Sequence, residues 1–413
     1  MILFKDFELD NGLRVIVHED PTIRIAVINL LYQVGSRDED ENKTGFAHLF
    51  EHLMFGGSKN IRSYDEHLER VGGDNNAFTS TDITNYYLTV PSSNLETGFW
   101  LESDRMLGLS FDPKVLEVQR KVVIEEFKQR YLNQPYGDVW LILPPLAYKN
   151  HPYRWPTIGK EISHIEEATM EDVKEFFYKH YLPNNAVMVV AGDVKFEQVK
   201  KLSEKWFGSI PSGVNGIRKL PQEPRQIDRR FQETEGDVPV DALYKAYHMP
   251  GKFDNGFHTA DLLSDILGLG KSSRLYQKLV REKEYFTSLG AYVTGSLDPG
   301  LLVISGKLNK GVSLEDGESE IDELIHQILK TGVTKQELVK VKNQAQSTII
   351  FQEIEVLNRA MNLAFMSLSG DPDKVNTEIK EIQKVTRSDV FDIANTVLLP
   401  GNCSTLYYRS IKK

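Results

Sequence analysis

One cysteine, Cys403, stands in a chain of 413 residues, so no disulfide can close within it. A bound metal ion would have to take histidine and carboxylate ligands, because a thiolate cluster cannot be assembled. No apolar run is long enough to span a bilayer. Positive charge is in the minority. Lys and Arg total 49 against 59 Asp and Glu, and the formal net charge of -10 argues against a general nucleic-acid binder. The first twenty residues, MILFKDFELDNGLRVIVHED, lack the basic stretch and apolar core of a signal peptide. The length exceeds the roughly 250–300 residues at which single cores stop growing, so two or more domains are expected.

What is present concentrates in residues 45–60, GFAHLFEHLMFGGSKN. His48 and His52 stand four apart with Glu51 between them. At about 3.6 residues per turn, positions i and i+4 share a helix face, so both imidazoles would enter one space where a Zn²⁺ ion can accept a nitrogen from each. The carboxylate of Glu51 would reach the edge of that space, placed to take a proton from water. Phe46, Ala47, Leu49, Phe50, Leu53, Met54 and Phe55 would bury the rest of the helix, and Gly56-Gly57 would end it with a positive φ.

Around this helix the pattern alternates strand and helix. A hairpin is expected over residues 4–18, turning at Asn11-Gly12, and a buried strand over 23–34. The charged run 37–41 reads as loop. Helices are expected over 64–71 and 95–109, with two strands between them joined near Thr81-Asp82. A long helix starts at Pro113 and carries Glu117, Glu125 and Glu126 as candidate third ligands. Glu126 shares a face with Gln119, and Glu125 lies about 100° away, so spacing alone leaves the choice open. Helices over 139–146, 169–180 and 195–207, a strand within 182–193, and a Gly-, Pro- and Arg-rich linker over 208–230 complete the first half.

The second half repeats the first. Residues 168–193, ATMEDVKEFFYKHYLPNNAVMVVAGD, have a counterpart in 385–410, VTRSDVFDIANTVLLPGNCSTLYYRS. Residues 48–57, HLFEHLMFGG, line up with 261–270, DLLSDILGLG, where Asp261 and Asp265 replace the histidines and Ser264 the glutamate. The fold class expected is α+β, two homologous halves each with a mixed sheet and helices, with a metal site in the first alone. The boundaries expected are 1–212, a linker at 213–230, and 231–413.

The inverted H-x-x-E-H order, a distal glutamate and a duplicated half together resemble the inverzincins, the family of pitrilysin, insulin-degrading enzyme and the mitochondrial processing peptidase. The likeness covers almost the whole chain and is closest in plan to the short, two-domain bacterial branch. It implies a zinc metalloendopeptidase with one Zn²⁺ per chain, held by His48, His52 and Glu126, with Glu51 as general base. Glu126 is selected because residues 119–126, QRKVVIEE, match the family's ligand helix, with Gln119 and Glu125 in supporting positions. Asn76-Ala77-Phe78-Thr79 matches the family's substrate-binding edge strand, a peptide binding by strand addition. The two facing halves would enclose a chamber for peptides or unfolded segments.

One departure concerns the second half. The family pattern there supplies an arginine and a tyrosine that hold the peptide. Arg281-Glu282-Lys283 is present, but Thr287 stands at the tyrosine position and Tyr285 comes two residues early. The resemblance therefore implies the zinc-carrying subunit of a heterodimer whose homologous, zinc-free partner carries the arginine–tyrosine pair, with a homodimer as the variant arrangement. No nucleic acid and no membrane is expected as partner. The expected location is the bacterial cytoplasm, or the periplasm if a signal peptide was removed. A catalytically weak scaffold or assembly subunit is the alternative function.

Overall fold

A computed structural model describes residues 1–213 and 219–411. Their strands are β1 (Lys5–Glu8), β2 (Arg14–Glu19), β3 (Ile25–Tyr32), β4 (Asp74–Thr79), β5 (Thr84–Pro91), β6 (Ala186–Gly192), β7 (Arg230–Gly236), β8 (Ala242–Met249), β9 (Phe286–Val293), β10 (Gly300–Leu308) and β11 (Cys403–Ser410). Among the described residues they form two mixed sheets, ordered β1-β2-β6-β3-β5-β4 and β7-β11-β8-β10-β9.

The repeat seen in the sequence is a repeat of topology. In the first sheet β2 runs parallel to β6, and β6–β3, β3–β5 and β5–β4 are antiparallel. In the second, β7 runs parallel to β11, and β11–β8, β8–β10 and β10–β9 are antiparallel. Chain order is the same in both, and β1 is the one addition. The helices that enter β6 and β11 begin alike. Thr169 accepts from the Asp172 amide and Thr386 from the Asp389 amide, each aspartate returning the bond to the cap residue.

The chain forms two compact units: Met1–Phe127 with Trp155–Leu220 and Ile350–Thr377, and Lys128–Arg154 with Pro221–Ile349 and Glu378–Lys413. The expected division at 212 and 231 follows the sequence repeat, whereas each of these units also includes a segment from the other half of the sequence. Each sheet is apolar on both faces, and the helix that covers the second face comes from the other half of the sequence. In the first unit Val356–Ser367 packs on β3 and β6. Arg359 of that helix donates to His18 Nε2 at 2.9 Å and to Asp20 at 2.8 Å, which sets it beside β2. In the second unit Leu243 and Tyr247 of β8 join one core. Ala242 and Ala246 join another, built with Val139, Leu143 and Ala147 of the helix Val139–Ala147. Of the expected linker, residues 214–218 lie outside the described residues.

The His18 contact carries a pH dependence. Nδ1 bonds the Leu3 carbonyl at 2.7 Å, which makes it the donor, so Nε2 accepts from Arg359 and the ring is neutral. Burial first, then the Arg359 charge, lowers the His18 pKa; the Leu3 carbonyl and Asp20 oppose them. Asp20, held at about 2 chiefly by the Thr22 hydroxyl and Arg359, stays ionised at mild acidity. Because the folded value lies below the ordinary 6.5, the linked stability is complete above that pH and is lost as pH falls. Thermal midpoints measured from about pH 7.5 to 5 should fall more steeply for the native chain than for His18→Gln. Equal slopes would remove His18 from the account.

Candidate metal centre

The helix Phe46–Leu53 is set at its start by a glycine and a glutamate. Gly45 has φ +88°, and an added Cβ would lie 2.6 Å from the Ile158 carbonyl, so both its conformation and its space require glycine. The buried carboxylate of Glu39 accepts from the Gly45 and Ala47 amides at 2.9 and 2.8 Å, satisfying helix-start donors. Burial pushes the Glu39 carboxyl well above the usual range, and those two amides pull it back. Phe46, Ala47, Leu49, Phe50 and Leu53 are buried. Phe50 stacks on Phe176 and Tyr181 at 5.0 and 5.2 Å, contacts of about 0.5–1.5 kcal/mol each beyond area burial. The remaining face carries His48, Glu51 and His52, all half-buried.

Expectation and structure differ at the helix end. The helix stops at Leu53, with Met54 still right-handed, and the positive φ of +99° falls later, at Gly57. Gly56 serves close approach instead: a Cβ there would meet Val115 Cγ1 at 2.2 Å. Val115 belongs to the helix Pro113–Phe127, which packs on the His48 helix. Leu116, Val123 and Phe127 bury its inner side. Arg120 ties it down by donating to the Glu166 and Ala168 carbonyls.

That packing places Glu126 beside the histidines. Its Oε2 lies 3.6 Å from His48 Nε2 and 3.5 Å from His52 Nε2. Zn–N and Zn–O bonds of about 2.0–2.1 Å at tetrahedral angles put ligand atoms about 3.3–3.4 Å apart. The two distances from Glu126 to the histidines are close to that spacing, and all three donor atoms lie within 4.8 Å of one another. The rings meet edge-on, with centroids 4.8 Å apart. Among the described residues, His48, His52 and Glu126 are the group of three whose donor atoms converge within 4.8 Å. Glu125 is exposed and Gln119 half-buried. Glu117 is turned to Arg120 and Lys121.

Asn76, Ala77, Phe78 and Thr79 lie in β4, which among the described residues has a neighbour, β5, on one side only. Asn76 and Phe78 are exposed, and Asn75, Ala77 and Thr79 half-buried, the alternation of a strand. The Thr79 hydroxyl donates to Glu51 Oε2 at 2.5 Å.

In the second unit the helix Phe257–Gly268 follows Gly256, whose φ of +92° repeats that of Gly45. Counted from that glycine the two helices are two residues out of step. The half-buried positions Asp261 and Asp265, with buried Leu262, Leu263 and Ile266 around them, nevertheless match His48 and His52 in exposure. Burial, then the charge of Asp261, raises Asp265 to about 7. No third ligand joins this pair among the described residues. Arg281 is exposed and bonds Gln277 at 3.1 Å. Thr287 bonds the Lys307 carbonyl, and Tyr285 packs against the core of its unit.

Sequence reading missed Glu39, which sat in a run of charges that looks solvated, and the direction of the Thr79 side chain. No local pattern marks either, because both partners lie on other elements.

The chain is similar to known proteins over nearly its whole length. Residues 14–159 match the family model described as Insulinase (Peptidase family M16), and residues 167–345 match the Peptidase M16 inactive domain. The zinc protease PqqE of Helicobacter pylori is 30% identical over 407 residues, covering 97% of this chain and 91% of that protein. The crystal structure of a protease from Helicobacter pylori superposes with a TM-score of 0.93 at 28% identity, covering 99% of this chain and 100% of that one. The periplasmic protease PqqL from Escherichia coli shares the fold, with a TM-score of 0.79 at 19% identity over 99% of this chain and 48% of that one.

Proposed function

Because the chain belongs to peptidase family M16, we propose that it is a zinc-dependent endopeptidase in which His48, His52 and Glu126 hold one Zn²⁺ and Glu51 is the general base. The observation that carries the reading is the convergence of two imidazole nitrogens and one carboxylate oxygen within 4.8 Å, with the Glu51 carboxylate on the helix of the two histidines. Two neutral imidazoles and one carboxylate leave a bound zinc with net positive charge, and such an ion lowers the pKa of water and polarises a peptide carbonyl. Glu51 takes the proton from the attacking water and later delivers it to the leaving amine. The outer edge of β4, unpaired among the described residues, receives the substrate as an added strand along Asn76 to Thr79, which favours extended peptides and unfolded segments.

In this reading the first half of the sequence, 1–212, carries the chemistry and 231–413 holds substrate. The description "inactive domain" supports that assignment, since its span of 167–345 excludes His48, His52 and Glu126. It gives no support to a scaffold. A homologous, zinc-free partner would bring the tyrosine that Thr287 does not supply. The fold of this chain matches about half of a longer chain such as PqqL, which fits a pairing of two modules.

The test is hydrolysis of a quenched-fluorescent peptide by the purified chain, with zinc analysis, alone and with any co-encoded homologue. One zinc per chain and chelator-sensitive turnover, greatly raised by the homologue, is the expected result. Full turnover alone would remove the heterodimer, and absence of zinc and turnover in both mixtures would remove the peptidase.

A further inference from the structure

We propose that Thr79 is a positioning residue for Glu51, fixing the orientation of its carboxylate. The inference rests on the peptidase reading above and adds a component to it. A threonine at the end of a strand ordinarily faces solvent or bonds its own turn. Here the hydroxyl reaches a carboxylate 28 positions away in sequence, at 2.5 Å, the short end of O–H···O⁻ bonds. A hydroxyl has one proton to give, and this bond spends it on Oε2. The bond holds the plane of the carboxylate relative to β4.

The need for such a contact follows from the side chain itself. Glutamate has three torsions, and a base must sit within hydrogen-bond reach of the proton it removes. Glu51 is half-buried on the polar face of its helix, so the packing that fixes Phe50 and Leu53 does not fix it in the same way. Thr79 comes from a different element, and its place is set by the β4–β5 register, in which Thr79 pairs with Thr84 and Ala77 with Tyr86. Thr84 is buried and its hydroxyl donates to the Val34 carbonyl at 2.9 Å, anchoring the strand pair at this level. The hydroxyl that orients the base is thus held by the sheet, and by the same edge strand that would receive the peptide.

Two variants separate orientation from folding. Thr79→Val keeps the β-branched shape and removes the hydroxyl; Thr79→Ser keeps the hydroxyl. Thr79→Val is expected to lower kcat about 10- to 100-fold, the scale on which small misplacements act, with KM and zinc content within about twofold. Thr79→Ser is expected to recover most of kcat. A second readout does not depend on turnover: crystals of the metal-free proteins should show one Glu51 rotamer in the native chain and Thr79→Ser, and more than one in Thr79→Val. A single unchanged Glu51 rotamer in Thr79→Val, undiminished kcat, or a loss in Thr79→Val that serine does not restore would overturn the proposal. Should the native chain itself prove inactive, the peptidase reading fails, and the rotamer comparison still decides whether Thr79 orients Glu51.

Discussion

Replacing Glu51 by glutamine is expected to leave one zinc per chain in place and to lower kcat by about 10²–10⁴, the usual worth of a general acid–base group. Glutamine preserves the shape of the side chain and can still accept the Thr79 hydroxyl bond through its carbonyl oxygen, but it cannot take a proton from water. The donor atoms of His48, His52 and Glu126 lie within 4.8 Å of one another without help from Glu51, so the metal should not leave with the base. The Phe50 face, which anchors the helix, is untouched, so the thermal midpoint should hold. Zinc analysis, peptide turnover and thermal unfolding on the same preparation check this. Glu51→Gln with native turnover would assign the base elsewhere.

The second large effect concerns Glu126. Glu126→Gln removes the one anionic ligand and should weaken zinc binding by more than the roughly 10–100-fold that loss of a mere supporting partner costs. Turnover at limiting zinc should collapse in parallel. Glu125→Gln, one residue away and exposed, should keep zinc affinity within about twofold. Competition against a chromophoric chelator gives both affinities. The reverse outcome, zinc lost in Glu125→Gln and kept in Glu126→Gln, would mean that the ligand helix is rotated by about 100° from its place in the structure.

This pair also shows where reading the sequence stopped. The helical phase of residues 113–127 is legible, but neighbouring glutamates differ only by which side of the helix meets the His48 helix. The resemblance to the inverzincins selected Glu126, and the packing of Val123 and Phe127 inward is what brings its carboxylate to the histidines.

Local patterns were legible wherever one element held all the information. The i, i+4 histidines with Glu51 stood out because a helix maps sequence spacing directly onto a face. Thr169 and Thr386 were readable as matching helix starts because a capping box lies within four residues. Continuous apolar stretches identified β3 and β6, and the matched segments 168–193 and 385–410 foretold the common topology of the two sheets.

What the tertiary structure alone decided has one physical cause, the meeting of residues that belong to different elements. A buried sheet needs cover on both faces, and nothing in either half's sequence says that the helices Val356–Ser367 and Val139–Ala147 are exchanged between units to provide it. Glu39 looked like one charge in a solvated loop until the fold brought its carboxylate under the Gly45 and Ala47 amides. Thr79 looked like a strand residue until the β4–β5 register set its hydroxyl on Glu51. The sequence by itself determined the chemistry on offer and the helix that presents it; long-range packing, which no local period encodes, decided which carboxylate joins the histidines and which hydroxyl meets Glu51.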